Sequence, residues 1–289
     1  DTLVAQGAPP NVVPVVPATD ACALITYTQD RTGTPLGAAS SHRALGQAIF
    51  DIEFATVAAA IANPTAIEKM LRKGLAPKTL LSLPLFHVNG CVATFLPALR
   101  AGRPVVIPHN TGVDATLQII EQEKITLLSM MPARLWELLN SPQWERFDTS
   151  GLFSVSVSNA GQTLALSQKL LEKLPDAFTG TFYGVAESNA TGCASMANVF
   201  ANRPNAAGRV SPITTLKICD NNGRECATGT PGTIWLYTPS LASSYLNQPQ
   251  ATAQSFRSGW FVSGDTGYLD AEGYLFLAGK NNAAATHCF

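Results

Sequence analysis

Charge is scarce in this chain. Asp, Glu, Lys and Arg together make up 13% of its 289 residues, against about 25% in an ordinary globular domain. Two readings stay open: either part of the surface is covered by another domain, or the surface is simply rich in Ala, Ser and Thr. No run of Lys or Arg occurs and the formal net charge is −1. Neutralising a phosphate backbone takes a basic stripe, so no nucleic acid partner is expected. No stretch of about 18 uninterrupted apolar residues is present, so no membrane span is expected. No basic segment leads into an apolar core at the start, which argues against a secretory leader. The first residue is Asp1, not Met, as in a processed or excised piece. Histidine is limited to four residues, and none of Cys22, Cys91, Cys193, Cys219, Cys226 and Cys288 forms a C-x-x-C pair. Zinc-ligand spacing is therefore absent, and reduced thiols in a cytoplasmic protein are expected. Cys219 and Cys226 flank a turn, the one place where two thiols stand near each other in sequence.

What is present is a large apolar fraction, 46%, enough for a sizeable core. Residues 1–20 carry Pro9, Pro10, Pro14 and Pro17, which deny helix and central strand and predict an extended lead-in. From residue 21 to about 205, short apolar runs alternate with helical patterns. Strands are expected near Ala21–Thr28, Thr79–Leu83, Pro104–Ile107, Ile125–Leu128, Phe153–Val157 and Gly180–Tyr183. Helices are expected near Ser41–Ala62, Gly90–Ala101, Asp114–Glu123, Ala133–Leu139 and Thr163–Leu174, with Ser41 as an N-cap and a cap near Thr111 or Asp114. Within the first of these, Ala55–Ala62 reads as buried helix. The alternation predicts an α/β fold, a mainly parallel sheet flanked by helices. After about residue 205 the pattern changes to short strands, Leu216–Cys219, Thr233–Tyr237, Trp260–Val262 and Tyr274–Leu277, punctuated by Asn222–Gly223 and Glu272–Gly273. Such punctuation predicts hairpins and hence a small antiparallel β-barrel-like subdomain over 206–282, followed by a tail at 283–289.

Four segments carry chemistry. The first is Tyr27–Gly37, YTQDRTGTPLG. Small residues with backbone N–H groups and hydroxyls free to approach make such a loop suited to phosphate, the alternative being an ordinary β–α turn. The second is Leu83–Gly90, LPLFHVNG, where His87 is either a pocket residue or a core histidine. The third is Ser158–Gly161 with Tyr183–Ser188, YGVAES. An aromatic face suits a base and a carboxylate suits Mg²⁺; the alternative is a sheet-edge Tyr and a solvated Glu. The fourth runs from GTPG at Gly229–Gly232 through SYLN at Ser244–Asn247 and ATA at Ala251–Ala253 to GWFVSGDTG at Gly259–Gly267 and GYL at Gly273–Leu275. Its Asp265 has two acceptor oxygens, which match a vicinal diol, or it is a turn residue.

Together these segments resemble the adenylate-forming superfamily of acyl- and aryl-CoA synthetases, over about residues 20 to 282. Relatives read YTSGTTGxPKG, LPLFHxxG, YGxTE and GWFxTGDxGYxD in the same order. The resemblance implies an AMP-binding core for a carboxylate–thiol ligase, converting ATP and a small-molecule carboxylate to an acyl-adenylate, with ATP or AMP, Mg²⁺ and CoA as ligands. It implies nucleotide contacts from Thr28, Gly33, Gly37, Ser158, Gly161, Tyr183, Gly184 and Asp265. It implies catalytic roles for Thr32, His87 and Glu187, with Glu187 the Mg²⁺ ligand and His87, Val88, Asn89 and Val185 lining the carboxylate pocket. The departures are Asp30 and Leu36 in the loop, the latter at the family's lysine, Asn159 and Gln162 beside Gly161, Ala186 at the motif Thr, and Ala283 at the hinge Asp. They weaken triphosphate binding and activity of this chain alone. A further N-terminal subdomain and a C-terminal domain would come from a longer chain. The alternatives are a degenerate, non-catalytic relative that binds nucleotide, acyl ligand or a protein, and a relict adenylation domain of a multidomain synthase.

Overall fold

The structure, a computed structural model, describes residues 15–29, 32–110, 112–158 and 163–280. The lead-in before residue 15 and the tail from 281, with Ala283 and Cys288, lie outside the described residues.

The chain opens with an antiparallel hairpin of β1 (Cys22–Gln29) and β2 (Pro35–Ser41). Here the sequence expectation fails, since the second half of the loop motif is a strand and not a turn leading into a helix. Ser41 then caps α1 (His42–Ile61), its hydroxyl accepting from the Ala44 N–H at 3.1 Å, and α2 (Pro64–Arg72) follows. Helix α1 buries Ala44, Ala48 and Asp51. Asp51 accepts a short hydrogen bond from Ser211, which ties the helix to the sheet. Ala55–Ala62 is helical but largely exposed, contrary to the buried helix expected there. An Ala-rich stretch gains little from burial, because each methyl removes little apolar area from water. By length and composition alone α1 is apolar enough to cross a membrane; its charged Asp51, Glu53 and Arg43 interrupt the run.

Strands β3 (Thr79–Leu81), β4 (Val105–Val106), β5 (Leu127–Met130), β6 (Ser154–Ser158) and β7 (Phe178–Gly184) are all parallel, in the order β4-β3-β5-β6-β7. Parallel strands buried on both faces need apolar runs and crossover helices. The crossovers are Val88–Arg100, which contains a π-helical turn at Cys91–Phe95, then Val113–Gln122, Pro132–Leu139 and Leu164–Lys173. Gly112, not Thr111 or Asp114, occupies the N-cap of the second. Thr163 caps the last, accepting from Leu166 N–H. The main core lies between these layers, with Leu80, Leu128, Val155 and Val157 on the strands and Leu117, Ile120, Leu135, Leu138, Leu166 and Leu170 on the helices.

Beyond β7 the strand sense changes. Strands β8 (Gly192–Met196), β9 (Gly208–Val210), β10 (Thr215–Cys219) and β11 (Gly232–Tyr237) are joined by β12 (Ser244–Tyr245), β13 (Phe256–Arg257), β14 (Trp260–Leu269) and β15 (Tyr274–Lys280). The sheet path continues as β7-β8-β9-β15-β14-β11-β10, antiparallel throughout. The antiparallel strands thus extend the parallel sheet, giving one mixed sheet of 12 strands. The Asn222–Gly223 and Glu272–Gly273 signals are realised as turns, with Gly223 at φ +76° and Gly273 at φ +81°. Strand β14 is longer than the Trp260–Val262 expected; it runs through the GDTG segment, so Asp265 is a strand residue. A second core, including Leu36, Leu216, Ile218, Ile234, Leu236, Phe261 and Leu275, fills this half.

Candidate active site

The four motifs converge where the hairpin, the turn after β7 and strands β12 and β14 meet. Strand β7 ends at Gly184, and the chain enters a 3-10 turn at Ala186–Ser188. A Cβ on Gly184 would lie 2.2 Å from the carbonyl carbon of Ala190, so the approach requires glycine. Both hairpin strands pack against Ala186–Ser188, which brings the first motif to the third. The turn is held by a buried polar network. Asn189, in the left-handed region at φ 52°, donates to Ser40 Oγ and to the Ser240 carbonyl, each at 2.8 Å. Thr191 and Ser240 share a short hydroxyl contact, and Ala242 N–H donates to the Glu187 carbonyl at 2.7 Å. Buried polar groups that are mutually satisfied fix one geometry, and here they fix Glu187.

Glu187 is 5% exposed, and its Oε1 accepts from the Tyr245 hydroxyl at 2.5 Å. Burial pushes its carboxyl above the usual range, the Tyr245 bond opposes this, and the negative charge of Asp265 adds to it. Tyr183 donates to Asp265 Oδ2 at 3.0 Å and approaches Ser263 Oγ at 3.4 Å. Of the three residues expected to share a cleft, Tyr183 and Asp265 are thus bonded directly, and Glu187 lies in the turn that follows β7. The Tyr183 ring is only 4% exposed and belongs to the second core. The face expected to stack on a base is covered, and the hydroxyl instead orients Asp265. Burial, with the adjacent carboxylate, raises the Tyr183 phenol far above its ordinary value.

The hairpin supplies Thr28, partly buried on β1, and Gly37, whose Cβ would press on Ile25 and Tyr27 at 3.0–3.3 Å. Thr32 lies exposed at the tip, 2.9 Å from Thr34 through their hydroxyls, beside Gly33 at φ +85°. Asp30 and Arg31 lie outside the described residues, as do Asn159, Gly161 and Gln162. Ser158 ends β6, in register with Phe182. Leu36, which the motif resemblance sets against a lysine, is 5% exposed in the second core.

His87 caps the helical turn Val88–Gly90, its Nδ1 accepting from Asn89 N–H at 3.1 Å, and burial lowers its pKa. It is a neutral, capping histidine. Val88, expected to line a pocket, is instead 3% exposed in a third core with Ala48, Val92 and Ala190. It is β-branched and faces α1, so packing claims it. Through Val88 and Ala190 the second motif nonetheless reaches the turn of the third. Asn89 and Val185 are half-buried. Of two concavities, one of about 440 Å³ beside Thr238–Ser243 and Phe256 touches the motifs only at Gly259, and one of about 340 Å³ beside Asn63, Lys69 and Asp176 touches none of them. Cys219 and Cys226 are free thiols, as are Cys22, Cys91 and Cys193. Sequence reasoning missed Tyr245, Asn189, Ser40 and Ser240. Only Tyr245 had a signal, its place in the SYLN segment.

For Mg²⁺ the donor set is thin. Among the described residues no three His, Cys, Asp or Glu gather into a cage. Mg²⁺ on a nucleotide needs only one or two carboxylates beside phosphate oxygens and waters, and Glu187, held by Tyr245, fits that requirement.

An α/β sheet prolonged into antiparallel strands, with a buried, tyrosine-bonded Glu187 in the turn after β7 and a half-buried, tyrosine-bonded Asp265 on β14, defines a nucleotide-handling class of enzyme core. The chain belongs to the AMP-binding enzyme family, which it matches over residues 2–246, and within it is an acyl- or aryl-CoA synthetase-like core. It is 31% identical to an indoleacetate–CoA ligase of Aromatoleum aromaticum over 94% of this chain and 49% of the relative. It is 29% identical to 4-coumarate–CoA ligase 2 of Oryza sativa subsp. japonica over 96% of this chain and 48% of that one. The amide bond synthetase McbA from Marinactinospora thermotolerans superposes with a TM-score of 0.77 at 28% identity, over 96% of this chain and 53% of that structure. The chain spans about half the length of the curated relatives it matches.

Proposed function

We propose that this chain is the AMP-binding core of a carboxylate–thiol ligase whose nucleotide is held by Asp265 and Glu187. The carrying observation is that Glu187 and Asp265, remote in sequence, are each bonded by a tyrosine hydroxyl, Tyr245 to Glu187 and Tyr183 to Asp265. Asp265 offers acceptors to a ribose diol while Tyr183 orients it. Glu187 would hold Mg²⁺ on the phosphates, where the cation supplies charge neutralisation. Thr28, Thr32, Gly33 and Gly37 would face the phosphates from the hairpin, with Ser158, Gly161 and Gly184 toward the base. His87, Asn89 and Val185 would border the carboxylate. In the reaction, a carboxylate oxygen attacks the α-phosphorus of ATP, the α–β anhydride bond breaks and pyrophosphate leaves. A thiol such as that of CoA then attacks the acyl carbon, loses its proton and releases AMP. The names of the relatives, indoleacetate– and 4-coumarate–CoA ligase, favour an aromatic carboxylate.

The first step is weak in this chain by itself. Leu36 is a buried core residue, so the strand turns inward the position that carries the loop lysine in relatives. Ala186 lacks the motif hydroxyl, and removing one interaction with the transition state slows a reaction by about tenfold or more. The same burial favours a second reading, a degenerate relative that keeps AMP and has no triphosphate chemistry.

Isothermal titration with AMP, together with pyrophosphate exchange over a panel of aromatic and aliphatic carboxylates, tests the proposal. AMP binding that falls about tenfold or more in Asp265→Ala, with exchange near background, is expected. No AMP binding by the native chain sinks the nucleotide reading; robust exchange sinks the claim of weak activity.

A further inference from the structure

We infer that the outer face of β10, β11, β13 and β14, with the cavity at the end of β11, binds a planar aromatic ring that carries negative charge. The site goes beyond the nucleotide reading above and does not depend on it. Paired residues of neighbouring strands share a face of the sheet, and the register pairs Lys217 with Trp235 and Arg257 with Trp260. The Lys217 ammonium lies between the two indoles, 4.1 Å from the Trp260 ring centroid and 4.8 Å from that of Trp235. The Arg257 guanidinium is 6.0 Å from the Trp235 centroid. Tyr237 continues the row, half exposed and tilted against Trp260 with centroids 5.5 Å apart.

Two features distinguish this face from an ordinary solvated sheet. The first is charge. Among the described residues neither Lys217 nor Arg257 takes part in a salt bridge. The ring faces attract both cations but leave them without a counter-charge. The second is room. The cavity of about 440 Å³ has Tyr237 and Phe256 as aromatic walls, with Pro239, Leu241 and Gly259 beside them. That volume is in the range of small-molecule sites, about 300–1,000 Å³. Gly259, at φ +82°, leaves space for the Tyr237 ring, which a Cβ there would meet at 3.0 Å. Arg257 directly follows Phe256, and Lys217 lies one ring beyond Tyr237. Aromatic walls favour a flat ring, and unpaired cations beside them favour an anion. A nucleobase with its phosphate and an aromatic carboxylate share this chemistry. None of Tyr183, Glu187 and Asp265 lines the cavity.

Two of the four tryptophans stand in the site and report on it directly. In protein labelled with 5-fluorotryptophan, fluorine-19 NMR reads Trp235 and Trp260, with Trp235→Phe and Trp260→Phe assigning the signals. The probes are AMP and 2-naphthoate; inorganic phosphate and cyclohexanecarboxylate are the ringless controls. At least one aromatic probe should shift the Trp260 signal saturably, well below the concentration its ringless control requires. Its midpoint should rise about tenfold or more in Lys217→Gln/Arg257→Gln. A response to AMP alone makes the ligand a nucleotide, one to 2-naphthoate alone makes it an aromatic acid, and a response to both makes it the shared chemistry. The inference is overturned if neither probe moves Trp260, or if the ringless anions act equally well. A native midpoint in the double variant overturns it too, since the cations then only cover the indoles. It also falls if AMP alone acts and its effect vanishes in Asp265→Ala, which marks a relay from the candidate active site. Tyr237→Leu keeps both cations and removes the ring, so it should erase the preference for aromatic anions; an intact preference is equally adverse. Failure of AMP to bind at Asp265 sinks the nucleotide reading and leaves the 2-naphthoate titration to decide this one.

Discussion

A buried carboxyl group sets a pH signature, and Glu187 is the clearest case. Its pKa in the folded chain is raised, chiefly by burial, so the folded form holds its proton more tightly than the unfolded chain does. The stability this group contributes is full below the unfolded value of about 4.3 and is lost as pH rises through the folded value. Glu187→Gln keeps an acceptor for Tyr245 and removes the ionisation. The melting temperature of Glu187→Gln should therefore exceed that of the native chain at about pH 7, with the gap closing toward about pH 4. Scanning calorimetry across that range checks it, and a constant gap would exclude ionisation as the cause. Asp265 could be singled out from its motif, because a short segment carries it. Tyr245 could not, because its hydrogen bond spans 58 positions and no local pattern encodes such a pairing. Tyr183 shows the opposite failure. Its motif suggested a base-stacking ring, but its place on β7 within the second core buries the face.

Among the elements, the turn after β7 carries the most constraint. Gly184 faces the Ala190 backbone, and Asn189 and Ala190 both take positive φ. Adding one methyl in Gly184→Ala should destabilise the fold by about 3 kcal/mol or more, read from the urea midpoint, with nucleotide binding abolished alongside. A cost under about 0.5 kcal/mol would mean the turn gives way easily. The parallel strands were legible because each is a short apolar run followed by a helical pattern. The hairpin turns were legible from Asn222–Gly223 and Glu272–Gly273. Strand β2 was hidden. Its sequence PLGAASS is made of small residues without apolar alternation, and it is extended because β1 and β12 pair with it. The length of β14 was hidden too, since Gly264 looks like a terminator yet the strand passes through it at φ +76°.

At the scale of the molecule, the low charge of the sequence becomes an apolar stripe. Phe50, Phe54, Val57 and Ile61, spaced for one helix face, are each more than half exposed on α1. Contiguous apolar surface of this kind promotes association. Replacing Phe54 and Val57 with Glu and Lys should raise the solubility of the isolated chain and lower its sedimentation-average mass, with little change in unfolding midpoint. Unaltered association would place the sticky surface elsewhere. A last consequence follows from the pairing of β2 with β12. The Ser243 hydroxyl bonds the Ala39 carbonyl across 204 residues. On a ribosome adding roughly 5–20 residues per second, the hairpin waits on the order of 10–40 s for that partner. Throughout this interval one edge of β2 stands open to stray strands. The hairpin is thus made early and seated late, and a chaperone that shields nascent edges would act on it before the fold closes.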